Sequence, residues 1–272
     1  MRRARKHAVV FLGGGRITGA LLAGLHLADY DEPIVVHDRH PQKLRQLRVQ
    51  HAVKVEQDLH RAVEQAHLLI VAVRPDSVRE LLRRIGQSQP GQVRPTIAVS
   101  LAAGIPLKNL RAWMGRSVRW ARAMPSPVAR SGRGLTALTF DRDFPAAARR
   151  EVRNFFSHVG PVFEIPEGKL DAFTVTYSSS HGYHALYALA GAAEKLGLDR
   201  KTALTAAAHA LADGILAWRE SGISLNTLLR EAATPGGISA TTLASMDKSG
   251  YKRIVELGLR AGIGRAKKNA KQ

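Results

Sequence analysis

The chain contains no cysteine, which excludes disulfides, thiol nucleophiles and thiolate metal sites. Long apolar runs are also missing. Leu68–Val73 is typical and far shorter than a membrane span, so no membrane partner is expected. Residues 1–7 are basic, but glycines interrupt the apolar stretch behind them at Gly13, and no secretory signal is expected. A cytoplasmic protein is the resulting expectation. Acids are scarce beside bases, 22 against 41, for a formal charge of +19. Such an excess can mark nucleic-acid binding, but here the cations are dispersed. Arg39, Lys43, Arg45 and Arg48, then Arg79, Arg83 and Arg84, then Arg149, Arg150 and Arg153 alternate with apolar positions and read as solvated helix faces. Only Arg2–Lys6 and Arg265–Lys271 cluster, and both read as frayed tails. No nucleic-acid partner is expected.

Several catalytic constellations are missing too. His181 and His184 stand at helical spacing without acidic partners, so no metal site is expected. Ser178–Ser180 beside His181 is not a triad, because neighbours in sequence cannot form one, and no G-x-S-x-G elbow occurs. Trp113, Trp120 and Trp218 read as core or interface aromatics.

What is present begins at residues 8–20. The apolar run Ala8–Leu12 reads as a buried strand, three glycines follow, and Ile17, Ala20, Leu21, Leu22 and Leu25 then recur at helical spacing. Strand, glycine turn and helix is the opening of a dinucleotide-binding unit. Gly13 permits the turn and Gly15 a close backbone approach to a pyrophosphate, while the helix start offers free N–H groups to the phosphates. Thr18 stands at the third fingerprint position, where glycine or alanine is usual. The next strand reads as 33–38, ending in Asp38 about where an acid receives the adenosine ribose hydroxyls. Asp38 favours a cofactor without a 2′-phosphate. Arg39 and His40 could instead hold that phosphate, and the spacing leaves the choice open. The positive field suits an anionic dinucleotide and an anionic substrate.

Further along, helices are expected at 43–47 and 59–64 and strands at 52–55, 67–73 and 96–100. His67–Val73 is continuously apolar, as in a parallel strand buried on both faces. Its end at Arg74-Pro75-Asp76, and the small residues Ala102-Ala103-Gly104 after the next strand, lie where a doubly wound sheet borders its ligand. Ala102–Gly104 suit close approach by a planar ring. Strands at 118–123, 136–140 and 162–165 flank a helix at 145–156. Beyond Glu167 the pattern is helical and rich in alanine, at 182–196, 202–219, 225–233 and 241–262. A boundary falls between 165 and 166.

Five blocks in order then carry a resemblance: Gly-Gly-Gly-Arg-Ile-Thr-Gly-Ala at 13–20, Ala72-Val73-Arg74-Pro75, Ser100-Leu101-Ala102-Ala103-Gly104-Ile105, Arg122-Ala123-Met124-Pro125 with Gly132-x-Gly134-Leu135-Thr136-Ala137, and Thr234-Pro235-Gly236-Gly237-Ile238-Ser239. The set resembles the pyrroline-5-carboxylate reductase family over nearly the whole chain. The resemblance implies an α/β fold, with a Rossmann-type dinucleotide-binding domain (1–165) followed by an all-α dimerisation domain (166–272). It implies reduction of the C=N bond of a small cyclic imine, 1-pyrroline-5-carboxylate, to L-proline by NADPH or NADH. Gly13, Gly15, Arg16 and Ile17 would hold the pyrophosphate and Asp38 or Arg39 the ribose. Val73, Arg74 and Pro75 with Ala102, Ala103 and Gly104 would flank the nicotinamide. Pro235, Gly236, Gly237, Ile238 and Ser239 would hold the substrate carboxylate, with the Ser239 hydroxyl near the imine nitrogen. A homodimer or higher homo-oligomer is implied, with active sites formed at its interface.

The chain departs from the family pattern at Ser126-Pro127-Val128, where an asparagine–threonine pair is usual, and at Ser178–His181, where glycines and a proline are usual. Arg74 replaces a lysine and is not equivalent to it in donor geometry. These departures leave two alternatives: a reductase of a different imine in a specialised pathway, or a non-catalytic dinucleotide-binding oligomer acting as sensor or scaffold.

Overall fold

A computed structural model describes residues 8–87, 97–115 and 117–271. The basic segment Arg2–Lys6, expected to be a frayed tail, lies outside the described residues, as does Thr96. Contacts group the described residues up to Tyr177, together with those from Gly262, into one unit, and Ser178–Ala261 into a second.

The first unit is an eight-stranded sheet. Its strands are β1 (Ala8–Leu12), β2 (Ile34–His37), β3 (Lys54–Val55), β4 (Ala66–Val71), β5 (Ile97–Ser100), β6 (Arg119–Pro125), β7 (Thr136–Phe140) and β8 (Val162–Glu164). They lie in the order β3-β2-β1-β4-β5-β6-β7-β8, and only the β6–β7 pair is antiparallel. The first six follow the doubly wound order, which reverses direction between β1 and β4 and opens a crevice at their carboxyl ends. Continuous apolar runs make this possible, since β1 is buried throughout and β4 nearly so, with helices on both faces. On one face α1 (Arg16–Leu27) and α2 (Pro41–His51) pack with α6 (Ala146–Ser157) around Phe11, Leu21, Leu25, Val152 and Phe156. On the other, α3 (Leu59–Glu64), α4 (Pro75–Gly86) and α5 (Leu107–Met114) close over Val10, Leu12, Leu69, Leu82 and Trp120. Trp120 is fully buried.

Helix α5 is not evident from the sequence, because its eight residues between Pro106 and Gly115 are too short a run to establish a period. Helix α7 (Glu167–Thr176) is not singled out by periodicity either, and it groups with the sheet through Leu170, Met124 and Ala137.

The second unit holds α8 (Ser180–Lys195), α9 (Arg200–Ser221), α10 (Leu225–Ala232), α11 (Ile238–Lys248) and the first part of α12 (Tyr251–Asn269). Asp199 caps α9 by accepting from the Lys201 and Thr202 amides, and Ser224 caps α10. The single helix expected over 241–262 is two. Gly250, at φ +86°, lies in the left-handed region that ends α11 before α12 begins. The basic segment Arg265–Lys271 is also not a frayed tail. Helix α12 continues to Asn269, with Lys267 and Lys268 in the last turn where cations oppose the helix dipole, and Ala266 and Asn269 are buried.

Contact between α1 and the 3₁₀ turn Pro127–Ser131 depends on Gly24, where a Cβ would overlap the Ala129 carbonyl. Gly24→Ala should lower stability by about 1–3 kcal/mol through overpacking. Urea denaturation of the two proteins measures this directly.

Candidate active site

The loop after β1 sets the site's geometry. Gly13 has φ +113°, and a Cβ there would lie 2.6 Å from the Ala72 carbonyl oxygen, so only glycine fits. Thr18 is fully buried, and its hydroxyl donates to the Gly13 carbonyl at 2.6 Å. The unusual fingerprint residue thus ties the first turn of α1 back to the glycine turn. A hydroxyl five residues after Gly13 was the sequence signal for this bond. The Gly14 amide donates to Asp38 Oδ2 at 2.8 Å, joining the β1 and β2 loops. Gly15 has no heavy atom within 4 Å of a built Cβ, and it caps α1 without a side-chain bond. Open space beside amides at a helix start fits a pyrophosphate.

Asp38 is less available than its position suggests. Oδ2 accepts from Gly14, and Oδ1 accepts from the His40 amide at 2.9 Å while lying 2.8 Å from His40 Nδ1. Burial pushes this carboxyl up, but the amides of Gly14 and His40, the His40 ring and Lys43 outweigh it and hold it below the usual 3.8. His40 and Lys43 face it, and Arg39 and His40 are exposed. Arg16 is exposed and Ile17 half-buried at the start of α1. A groove of about 600 Å³ runs from Gly14, Gly15 and Arg16 past Gly19 to Lys43, Leu47 and Arg130. Arg130 was not among the residues singled out by sequence.

At the carboxyl end of β4, Ala72 is buried, Val73 half-buried, and Pro75 opens α4 with Arg74 as its cap. Arg74 reaches Asp76 at 3.1 Å across the surface. After β5, the Ala102 amide donates to Ser100 Oγ at 3.3 Å, and Gly104 turns the chain at φ +81°. A Cβ on Gly104 would overlap the Ala266 carbonyl of α12, so its smallness serves helix packing and not only approach by a ring. The loop's far end is held by Glu167, which accepts from the Leu107 amide at 2.6 Å. The same Glu167 oxygen lies 3.2 Å from Arg122 Nη1, and Arg122 Nη2 lies 3.4 Å from Asp171. This buried guanidinium on β6 anchors α7 beneath the loop. Ser126 is buried and accepts from the Val128 amide at 3.3 Å, so it serves the 3₁₀ turn. Thus the loops after β1, β2, β4 and β5 gather Gly13–Ile17, Asp38–Arg39, Val73–Pro75 and Ala102–Gly104 along one edge of the sheet.

The second set of residues lies in the second unit, between α10 and α11. Gly236 sits at φ +79°, the Gly237 amide donates to the Thr234 carbonyl at 2.9 Å, and Gly237 begins α11 in an extended conformation. Thr241 is the first amide to find a helical acceptor, the Gly237 carbonyl, at 3.1 Å. The Ile238, Ser239 and Ala240 amides therefore precede any intrahelical partner, a disposition suited to an anion. Ser239 is exposed, and its hydroxyl has no hydrogen-bond partner among the described residues.

Two family models match. Residues 8–104 match NADP oxidoreductase, coenzyme F420-dependent, and residues 167–269 match pyrroline-5-carboxylate reductase dimerisation. The chain is therefore an oxidoreductase of the class that joins a Rossmann-type dinucleotide fold to a helical region. A pyrroline-5-carboxylate reductase of Mycobacterium tuberculosis is 28% identical over 281 aligned positions, covering 95% of each chain. Two solved structures share the fold over the whole length. They are a 1-pyrroline-5-carboxylate reductase of Streptococcus pyogenes (TM-score 0.86, 23% identity, 97% of this chain and 100% of that one) and a pyrroline carboxylate reductase of Plasmodium falciparum with NADP bound (TM-score 0.85, 19% identity, 98% and 99%). Together these matches support the pyrroline-5-carboxylate reductase family for the chain.

Because the folded-state pKa of Asp38 is depressed, its contribution to stability is complete above the usual 3.8 and is lost as pH falls through the lower folded value. Asp38→Asn should flatten that acid limb in a series of thermal melts from pH 6 to pH 2.5. An unchanged limb would show that the Gly14 and His40 bonds do not load this carboxylate.

Proposed function

We infer that the chain is an NAD(P)H-dependent reductase that converts 1-pyrroline-5-carboxylate to L-proline and works as a homodimer in the cytoplasm. The observation that carries this reading is the phosphate cradle at Gly13–Ile17 together with the free amides at the start of α11. Both stand on a chain aligned end to end with reductases of that name. The functional division falls at 165/166, with dinucleotide residues before it and the dimerisation match after it.

Reduction of the imine requires a hydride on carbon, movement of the C=N π electrons onto nitrogen, and a proton on nitrogen. Reduced nicotinamide supplies the hydride when bound; the protein positions the reactants and stabilises charge. Gly13–Ile17 receive the pyrophosphate, while Val73–Pro75 and Ala102–Gly104 flank the nicotinamide. The Gly236–Ser239 backbone holds the substrate carboxylate, and the Ser239 hydroxyl stands near the imine nitrogen to hydrogen-bond it or pass it a proton. Asp38, already bonded by two amides, is a poor acceptor for a ribose hydroxyl. Arg39 with His40 and Lys43 then favours a 2′-phosphate, so the preferred cofactor is NADPH.

The second unit exposes apolar side chains that a monomer would leave in water. Ile238 is 90% exposed, Tyr187 79% and Ile254 65%, and α10 and α11 bury no residue. A second copy of the chain is the occupant. Light scattering after gel filtration should give at least a dimer mass, and Ile254→Glu should reduce it.

The test of activity is oxidation of NADPH and NADH, followed by absorbance, with 1-pyrroline-5-carboxylate. Turnover with NADPH favoured is expected. Arg39→Ala should raise the KM for NADPH roughly tenfold and leave that for NADH nearly unchanged. Ser239→Ala should lower kcat about a hundredfold with normal cofactor binding. Cofactor binding without turnover on any cyclic imine would favour the sensor alternative.

A further inference from the structure

The loop between β5 and α5 is held from a part of the chain more than 160 residues away. Asn269, buried in the last turn of α12, donates from Nδ2 to the Ala103 carbonyl at 3.1 Å. In return Asn109, on α5, donates from Nδ2 to the Ala270 carbonyl at 2.9 Å. Between these bonds Ala266 lies against Gly104 so closely that any side chain there would overlap its carbonyl. Gly262 lies against Val175 of α7, where a Cβ would come within 2.8 Å of Val175 Cγ1. Residues Gly262–Ala270 therefore form a strap across the back of Ala103-Gly104.

We propose that this strap is a positioning element of the cofactor site, with Asn269 as its central residue acting through the Ala103 carbonyl on the loop that flanks the nicotinamide. The proposal rests on the assignment of Ala102–Gly104 to the nicotinamide made above. A trans peptide points its C=O and N–H in opposite directions. Asn269, by engaging the Ala103 carbonyl, therefore turns the Gly104 amide away from α12 and fixes the plane of that peptide. Neither the Ala103 nor the Gly104 amide finds an acceptor among the described residues, so the peptide plane is set from the carbonyl side. Ser100 and Glu167 fix the two ends of the loop, and the Ile105 amide closes its turn onto the Ala102 carbonyl at 3.5 Å; among the described residues Asn269 is the one group that bonds the Ala103–Gly104 peptide itself. An asparagine suits the task because its amide is uncharged and directional, whereas the neighbouring Lys267, Lys268 and Lys271 would bring charge to a half-buried carbonyl.

The test compares two ligands on three proteins. Binding of NADPH and of 2′-phospho-ADP-ribose, the same molecule without nicotinamide, is measured by calorimetric titration on the wild type, Asn269→Ala and Asn269→Asp. Thermal melts accompany each titration. Asn269→Ala should raise the Kd for NADPH roughly five- to tenfold, as expected for one lost positioning hydrogen bond, with the Kd for the nicotinamide-free ligand unchanged within about twofold. Asn269→Asp, which sets a carboxylate against the Ala103 carbonyl, should raise it further. If Asn269→Ala does not fold, Asn109→Ala, which frees the strap at Ala270, should give the same selective loss to a smaller degree. Equal weakening of both ligands would assign the strap a purely structural role and overturn the proposal, as would unchanged binding of both in a folded variant. A wild type that binds neither ligand would overturn the dinucleotide assignment itself, and the proposal with it. A wild type that binds NADPH yet reduces no imine still decides the matter, because the readout is binding.

Discussion

Everything at the cofactor edge depends on how closely the chain can pass over itself at Gly13. The turn lies against the end of β4 with no space for a side chain, and the Thr18 hydroxyl and Asp38 carboxylate lock it from two sides. Those two bonds convert a flexible triple glycine into a fixed cradle, placing the first amides of α1 at the switch point between β1 and β4. Without the lock, the entropy of three adjacent glycines would oppose an ordered turn there. The loops after β2, β4 and β5 take their places relative to this turn because parallel strands bring their carboxyl ends to one edge.

The two units solve different physical problems. The first closes its core with helices on both faces of a buried sheet and needs no partner to do so. The second keeps only Ala190, Ala203 and Ala207 fully inside and leaves leucines, isoleucines and tyrosines on its surface. Such a unit is completed by association, which gives the dimerisation region its thermodynamic reason. Small residues have two separate uses. Gly13, Gly24 and Gly104 let backbones touch within the first unit, while the alanines of α8 and α9 let those two helices pack closely.

Features encoded by local pattern were legible in the sequence. The β1–glycine–α1 opening, the apolar run of β4, and the change of texture beyond Glu167 all follow from periodicity. Of the five ordered blocks that carry the family resemblance, three lie at the loops after β1, β4 and β5, and the last lies between α10 and α11. Features encoded by distant partners were not legible. The spacing leaves Asp38 and Arg39 both open at the ribose position, and it gives no sign of the Gly14 and His40 amides that donate to the Asp38 carboxylate. Ser126 reads as a bare departure from the family pattern until it is found capping a turn. Lys267 and Lys268 suggest a loose tail, yet Asn269 between such charges is buried against a loop 166 positions earlier. The break at Gly250 was hidden because helical periodicity on both sides continues in nearly the same phase.

Hydride transfer to an imine carbon leaves its trace in the product, and isotope labelling reads that trace. The purified chain would be incubated with 1-pyrroline-5-carboxylate and NADPH deuterated at nicotinamide C4, and the product examined by mass spectrometry and NMR. L-proline carrying one deuterium at C5, the former imine carbon, is expected when the transferred position is labelled. Proline without label from either C4 epimer, or no proline at all, would contradict it.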